Sequence, residues 1–232
     1  MDQQAATLLA TLRRTSAASD SKLTLLNNLK SDIKHHRVPD NAQSIIFDCL
    51  KFAISQQSSS TLATAALTTF SHLIKRLKIQ DAEGDAIVAH APKLLPALLE
   101  RLGDLRESHR GGAAQVLTEI WPFCAQDVEE LIRDDAIAGT HARAKDAGMQ
   151  WVVRVCASRC FLTNKRQLLT CLCQMNHEAS LPFKAFVPHM VVNLEDADGA
   201  VRDSAKSALI ELFKCVAVSN SAATSECAFV LI

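Results

Sequence analysis

The feature that most constrains this chain is a segment of 26 residues that occurs twice, 92 positions apart. Residues 96–121 align without a gap on residues 188–213, and seven of the aligned positions hold the same amino acid. Each copy has the pattern of two helices joined by a tight turn. One such unit cannot bury its apolar face alone, so repeated units stack on one another. The repeat therefore predicts an all-α solenoid of helical pairs.

The second copy shows why each half reads as a helix. Val201, Ala205 and Leu212 follow helical spacing, and Asp198 is placed to cap the helix that they form. Arg202 stands in the first turn of that helix, where the helix dipole disfavours a cation. We therefore expect Arg202 to make a specific contact, such as one with a neighbouring unit.

The composition suits a helical domain and argues against several classes of function. The 232 residues are 48% hydrophobic and include only seven Gly and six Pro. Lys plus Arg number 25 and Asp plus Glu number 25, so the net charge is zero and general binding to nucleic acid or membranes is not expected. The absence of a signal-peptide pattern and of a long apolar run predicts a soluble intracellular protein with its eight cysteines reduced.

Apolar periodicity predicts further helices before and between the two copies. Polar turns or prolines, such as Pro39 and Pro122, separate the periodic segments. Trp121 and Trp151 fall on apolar stripes and are predicted to lie in the core. The predicted helices outside the second copy span residues 5–13, 22–35, 42–54, 62–77, 87–103, 107–123, 127–135 and 143–155.

The spacing of the repeat also predicts an insertion. Arg110 and Lys145 both stand in the first turn of a second helix, 35 residues apart, whereas Arg202 follows Lys145 by 57 residues, an excess of 22. The excess falls in residues 156–180, which hold four of the eight cysteines and which we interpret as an irregular insert encoded by a translated intron. Residues 215–232 read as a second irregular segment, a read-through tail. The predicted divisions are 1–155, 156–180, 181–214 and 215–232.

The insert contains the only group of residues in the sequence that suggests a metal. Cys156, Cys160, Cys171 and Cys173 are followed by His177, and four ligands of this kind can surround zinc. Their spacing is not a standard one, so we expect no metal and keep zinc as the weaker alternative. No phosphate-binding loop, nucleophile motif or HExxH motif occurs, and we expect neither a cofactor nor an enzyme.

Three stretches of the sequence resemble a known family. PKLLPALLERLGDLRESHRGGAAQVLTEIWP, MQWVVRV and LPFKAFVPHMVVNLEDADGAVRDSAKSALIELF together are similar to the N-terminal TOG domain of fungal CLASP-family microtubule-stabilising proteins. The resemblance implies a HEAT-repeat solenoid, a TOG-type paddle, with about five helical pairs in residues 1–155 and 181–214. It also implies binding to tubulin or microtubules, stabilisation of dynamic microtubules and support of mitotic spindle formation. The implied location is the cytoplasm, cytoskeleton and spindle, and the nucleus during closed mitosis.

The resemblance further implies where tubulin would bind. In TOG domains the turns inside the helical pairs line one edge, which here would use residues 20–22, 58–60, 105–110, 139–145 and 196–202. Tubulin is acidic, so cations in these turns are the expected contacts. For Arg110 and Arg202 we keep the alternative of a structural role, in which each pairs with the aspartate of a neighbouring turn. For Arg202 this alternative is favoured, because Asp196 and Asp198 are local partners. The predicted edge consists of Lys22, Arg106, His109, Arg110, Arg143, Lys145 and Arg202.

A second function remains open on the same fold. Tubulin-binding TOG domains usually place a Trp in the first turn, where this chain has Lys22 and Leu23. This departure favours a HEAT-repeat adaptor that docks a spindle or kinetochore protein and has little affinity for tubulin.

Overall fold

The computed structural model describes the backbone of residues 1–163 and 181–228, and the side chains of residues 1–157, 181, 182 and 184–214. Helices form all the regular structure in these ranges, and none of them is long and apolar enough to cross a membrane. The chain divides into two compact units, Met1–Leu131 and Ile132–Ile232.

The first unit is a stack of helical pairs. Helices α1 and α2 form the first pair, α3 and α4 the second, and α6 and α7 the third. First helices pack on first helices, with α3 between α1 and α6, while α4 lies between α2 and α7. This is the arrangement that the repeat predicts. The helices are α1 Asp2–Arg13, α2 Ser19–His35, α3 Asp40–Ser55, α4 Ser60–Gln80, α5 Asp85–His90, α6 Leu95–Leu102, α7 Glu107–Ile120 and α8 Ala125–Glu130.

The core of the first unit is apolar and closely follows the predicted stripes. Fully buried apolar side chains come from all three pairs, and the rings of Phe47 and Phe70 meet edge to face with their centroids 5.6 Å apart. Trp121 is buried, as predicted. The residues that are shielded completely include Leu8, Leu26, Leu29, Ile46, Leu50, Phe70, Leu73 and Leu98.

One predicted helix of the first unit is interrupted. The single helix predicted over residues 87–103 is wrong, because a 3₁₀ segment, Ala91–Leu94, separates α5 from α6. Pro92 and Pro96 cannot donate a backbone hydrogen bond, which explains the break. Gly84 caps the start of α5 in the left-handed conformation, with φ of 75°, and a Cβ there would collide with the ring of Phe123.

The second unit contains two further pairs. A π-helix, Leu131–Ile137, leads into it and lies against α9, Ala142–Thr163, where a Cβ on Gly148 would be 3.1 Å from Ile137 Cγ1. Helix α10, Phe183–Asn193, pairs with α11, Gly199–Ala228. The second helices α9 and α11 pack on each other, and Trp151 is fully buried, as predicted. The described helices thus form five pairs, in agreement with the predicted solenoid.

Two boundaries predicted from the repeat do not coincide with the ends of helices. Helix α9 continues through Thr163, and Cys156, placed in the insert by the sequence analysis, is buried like Val155 before it. Helix α11 continues through Ala228, so the prediction of an irregular tail from residue 215 is wrong over that range. No Gly or Pro occurs between residues 215 and 228, so the sequence holds no strong helix breaker there. The remainder of the predicted insert, residues 164–180, lies outside the described residues.

Candidate functional site

The repeat sets the register of the second helices. Helix α7 begins at Glu107 and α11 at Gly199, which are 92 residues apart like the two copies in the sequence. Helices α2 and α9 begin at Ser19 and Ala142. A cation therefore occupies the fourth position of four second helices. These cations are Lys22, Arg110, Lys145 and Arg202.

In the first unit, Arg110 closes the turn between α6 and α7. Its Nη1 donates to the backbone carbonyls of Asp104, at 3.0 Å, and Leu105, at 2.9 Å. Asp104 Oδ1 in turn accepts from the backbone N–H of Arg106 at 2.9 Å. The cation and the carboxylate hold the same turn from two sides, so the turn is rigid.

Asp104 is also the centre of a network that joins two helical pairs. Its Oδ2 accepts from Arg101 Nη1 at 2.7 Å and lies 2.8 Å from Nδ1 of the fully buried His109. The other ring nitrogen of His109 lies 3.2 Å from Oγ of Ser60, the first residue of α4. Burial acts to raise the pKa of Asp104, but the hydrogen bonds from the Arg106 backbone, His109 and Arg101 outweigh it and hold the pKa well below its usual range.

The second unit repeats this turn between α10 and α11. Arg202 Nη1 donates to the carbonyls of Asp196, at 2.7 Å, and Ala197, at 2.9 Å, while Asp196 Oδ1 accepts from the N–H of Asp198 at 2.9 Å. Lys145 Nζ, from the preceding pair, donates to Asp196 Oδ2 at 2.7 Å. The hydrogen bond from Lys145 is the main cause of the lowered pKa of Asp196.

The position of the repeated arginine thus has a local explanation. Arg110 and Arg202 bond to the carbonyls of their own turns, so each has a structural role, and Arg202 uses its expected local partner Asp196 through the backbone carbonyl. Only the pairing with the aspartate of a neighbouring turn is wrong for these two arginines. That role falls to Lys145, which reaches Asp196 from the preceding pair. In the first unit Arg101 joins neighbouring pairs by donating to the carbonyls of Ile54 and Gln56 at the end of α3.

Burial separates the predicted edge residues into three groups: buried, half-buried and exposed. His109 is fully buried and bound within the unit, so it cannot contact a partner, and its prediction as a surface contact is wrong. Arg110, Lys145 and Arg202 are half-buried and bound to turn atoms. Lys22 is half-buried, and Arg106 and Arg143 are exposed.

The turns of the first two pairs differ from the segments expected at the edge. Residues 20–22 lie inside α2, and the turn between α1 and α2 consists of residues 14–18. In the second pair Ser58 is exposed, whereas Ser59 caps α4 by accepting from the N–H of Leu62 at 3.3 Å. Of the predicted segment 58–60, Ser58 alone is both exposed and outside the helix.

Sequence reasoning placed Leu105 within the predicted edge segment 105–110 but did not single it out as a contact. Leu105 is 75% exposed beside Arg106, at the tip of the turn that Arg110 and Asp104 hold. The corresponding position in the second unit is Ala197. The available signal was a large apolar side chain inside a polar turn, where the fold gives it nothing to pack against.

The cysteines of the described region are placed as buried thiols. Cys49, Cys124 and Cys156 are buried, and burial raises the pKa of Cys49 to about 12 and that of Cys124 to about 11. No group of three or more His, Cys, Asp or Glu residues suited to a metal occurs where side chains are described. The side chains of the other zinc candidates, Cys160, Cys171, Cys173 and His177, lie outside that part of the chain.

Comparison with known proteins gives matches in sequence and in structure. A family model described as CLASP N terminal matches residues 1–227. The curated protein STU1 of Phaeosphaeria nodorum is 44% identical over 213 residues, which cover 92% of this chain and 16% of that protein. The chain therefore spans well under a fifth of the length of such relatives.

Two solved structures share the fold at low sequence identity. The crystal structure of the MAST/Orbit N-terminal domain has a TM-score of 0.69 and 20% identity, over 93% of this chain and 84% of that one. A structure described as "TOG-tubulin binding specificity promotes microtubule dynamics and mitotic spindle formation" has a TM-score of 0.64 and 16% identity, over 90% and 72% of the two chains. The fold is that of the TOG-type HEAT-repeat solenoids.

Proposed function

The chain belongs to the CLASP N-terminal family, and from that premise we propose that it binds tubulin in microtubules through the turns inside its helical pairs. The family is one of microtubule-associated binding domains rather than of enzymes. The proposed binding is non-covalent and needs no cofactor.

The α6–α7 turn is the observation that carries this proposal. It presents an exposed cation, Arg106, beside an exposed apolar side chain, Leu105. Arg110 and Asp104 hold the backbone of both residues in place, so little backbone entropy is lost when the turn meets a partner. A cation beside an apolar group on a rigid turn suits a protein surface that is acidic and partly apolar.

In the second unit the exposed cation Arg143, in the first turn of α9, is the proposed contact. The α10–α11 turn is less suitable, because Glu195 and Asp198 are exposed there while Lys145 and Arg202 are engaged with turn atoms. We therefore restrict the proposed contacts to Arg106, Leu105 and Arg143, and keep the half-buried Lys22 as a weaker candidate.

The finer role follows from the family as a proposal. The chain would stabilise dynamic microtubules and support spindle formation from the cytoplasm and the spindle, and from the nucleus during closed mitosis. Because the chain spans 16% of the length of the STU1 relative, the part of this role that we propose for it is the contact with the microtubule.

A HEAT-repeat adaptor for a spindle or kinetochore protein is the second candidate. The specific observation in its favour is the first turn, residues 14–18, which holds no aromatic residue. Both tryptophans, Trp121 and Trp151, are buried in the core and cannot replace it.

Microtubule co-sedimentation tests the proposal. We expect the chain to pellet with stabilised microtubules and the variant Arg106→Glu/Arg143→Glu to lose at least about tenfold in affinity, since two exposed contact cations become anions. The control variant is Lys51→Glu/Lys93→Glu, which makes the same change of charge at exposed positions outside these turns.

Circular dichroism and the melting temperature establish that every variant is folded. Equal losses of microtubule affinity in both double variants would show that the effect depends on net charge alone and would overturn the assigned contacts. A folded parent chain that does not pellet would exclude microtubule binding and favour the adaptor.

A further inference from the structure

The turn between α1 and α2 contains a short motif that the proposed function does not use. The sequence there is Arg13-Arg14-Thr15-Ser16, and nowhere else in the 232 residues do two adjacent Lys or Arg precede a Ser or Thr with one residue between. Protein kinases choose substrates by charge patterns near the acceptor. Basophilic serine/threonine kinases read arginines two and three residues before the acceptor, which here is Ser16.

The structure leaves this motif accessible. Helix α1 ends at Arg13, Arg14 has an extended backbone, and α2 begins at Ser19. All four residues of the motif are exposed, and neither arginine makes an ion pair within the described side chains. Within the turn, the N–H of Arg14 donates to the carbonyl of Thr11 at 3.2 Å, and the N–H of Ala17 donates to the carbonyl of Arg14 at a long 3.4 Å. The segment can therefore open locally into the extended form that a kinase cleft requires.

We propose that Ser16 is a phosphorylation site for a basophilic serine/threonine kinase. The Ser16 hydroxyl oxygen attacks the γ-phosphorus of ATP, the bond from that phosphorus to the bridging oxygen breaks, and ADP leaves. The hydroxyl proton passes to the base of the kinase. Ser16 gains three phosphoryl oxygens and a charge of about −1.5 to −2 at neutral pH.

The new phosphate lies just before a helix start that has no side-chain cap. Ala18 is the N-cap of α2 and contributes no side-chain hydrogen bond. A phosphate at a helix N-terminus accepts from free backbone N–H groups and favours the dipole. Asp20 in the first helical turn of α2 repels the phosphate, and Lys22 in the same helical turn offsets this repulsion. Phosphorylation of Ser16 therefore stabilises the start of α2.

The same phosphate changes the charge of the first turn. Unmodified, this turn carries the exposed cations Arg13 and Arg14 and has Lys22 close by. The phosphate cancels most of this positive charge. The affinity of the first turn for an acidic partner therefore falls. This consequence rests on the proposed function, whereas the modification itself does not.

The test uses the full chain with ATP, Mg²⁺ and the purified catalytic subunit of cyclic-AMP-dependent protein kinase. We expect one phosphoryl group per chain by intact mass, located at Ser16 by peptide mapping. Ser16→Ala and Arg13→Gln/Arg14→Gln should both abolish it. Ser58→Ala removes a serine in another exposed turn without arginines before it, and should leave labelling unchanged. Labelling elsewhere, no labelling, or labelling that survives loss of the arginines would overturn the site.

Two further measurements test the consequences. The phosphorylated chain should melt about 1–4 °C higher than the unmodified chain, and an unchanged or lower melting temperature would overturn the capping role. Its affinity for microtubules should fall about threefold to tenfold, and an equal affinity would overturn the regulatory role. If the unmodified chain does not pellet at all, the proposed function fails while the mapping of Ser16 stands.

Discussion

Asp104 holds the α6–α7 turn because its two carboxylate oxygens accept hydrogen bonds from three donors. Oδ1 binds the backbone of Arg106, while Oδ2 is shared by Arg101 and His109. An ionised carboxylate can only accept, so Nδ1 of His109 carries the proton in this contact. Arg101 is only 5% exposed, and its charge depends on Asp104 for an ionised partner. The acid thus supports both the turn and the contact between two pairs.

The lowered pKa of Asp104 predicts how stability depends on pH. Above its ordinary pKa of about 4, the carboxyl group is ionised in folded and unfolded chains, and its stabilisation is complete. As the pH falls further, the unfolded chain takes up the proton first, so the free energy of unfolding decreases. Asp104→Asn keeps an oxygen for Arg106 but loses the charge. We expect this variant to have a lower free energy of unfolding than the parent at pH 7, and the difference to shrink towards pH 3.

Urea unfolding between pH 7 and pH 3 measures this difference. The control is Glu100→Gln, which neutralises an exposed carboxylate on α6. Its free energy of unfolding should differ little from that of the parent over the whole pH range. A deficit for Asp104→Asn that stays constant across the whole range would show that the lost charge is not its cause.

Residue partners of this kind were the least predictable part of the site. The sequence indicated that Arg202 needs a specific contact, but the choice between its own turn and a neighbouring one depends on how the turn carbonyls point. His109 looked like a surface cation because it stands beside exposed turn residues. Its ring faces Ser60 of another pair, 49 positions away, and no local pattern indicates this.

At the scale of elements, α7 carries two adjacent glycines that a helix does not favour. A Cβ at Gly111 would meet nothing within 4 Å, whereas one at Gly112 would lie 3.1 Å from Leu67 Cδ1 on α4. The close approach of α7 to α4 therefore explains Gly112, and the fold does not require Gly111.

We predict that Gly111→Ala raises the free energy of unfolding by about 0.5–1 kcal/mol, because alanine restricts the unfolded chain and has open space in the folded one. Gly112→Ala should gain less or lose stability, since Leu67 must shift by a few tenths of an ångström. Urea midpoints of the two variants give the comparison. A larger gain at Gly112 would contradict the close packing of Gly112 against Leu67.

The elements were more predictable than the contacts of single residues. The offset of 92 residues between the copies reappears in the starts of α7 and α11, because both copies use the same turn. The break at Pro92 and the π-helix Leu131–Ile137 were not predicted, since apolar periodicity continues through both. The last residues of α11 were not predicted as helix because their apolar positions follow no clear stripe, although their composition suits a helix.

At the scale of the molecule, the balance of charge decides how the chain meets a partner. Its net charge is zero, so it has no overall attraction to an acidic surface, and binding depends on local cations such as Arg106 and Arg143. The repeat alone was enough to predict the solenoid, because stacking is the way for such units to bury their apolar faces. Function required the family, since a solenoid of this kind can present many different surfaces.

The dependence of binding on salt separates the two candidate functions. If exposed turn cations bind an acidic lattice, microtubule affinity should fall several-fold between low and physiological ionic strength. The reason is that dissolved ions screen exposed charges more strongly as the ionic strength rises. Arg106→Gln should flatten that dependence, while Leu105→Ala should lower affinity by a similar factor at both salt concentrations. Co-sedimentation of the three chains at matched pH measures the effect. Affinity that is insensitive to salt in all of them would mean an apolar docking surface, as expected of the adaptor.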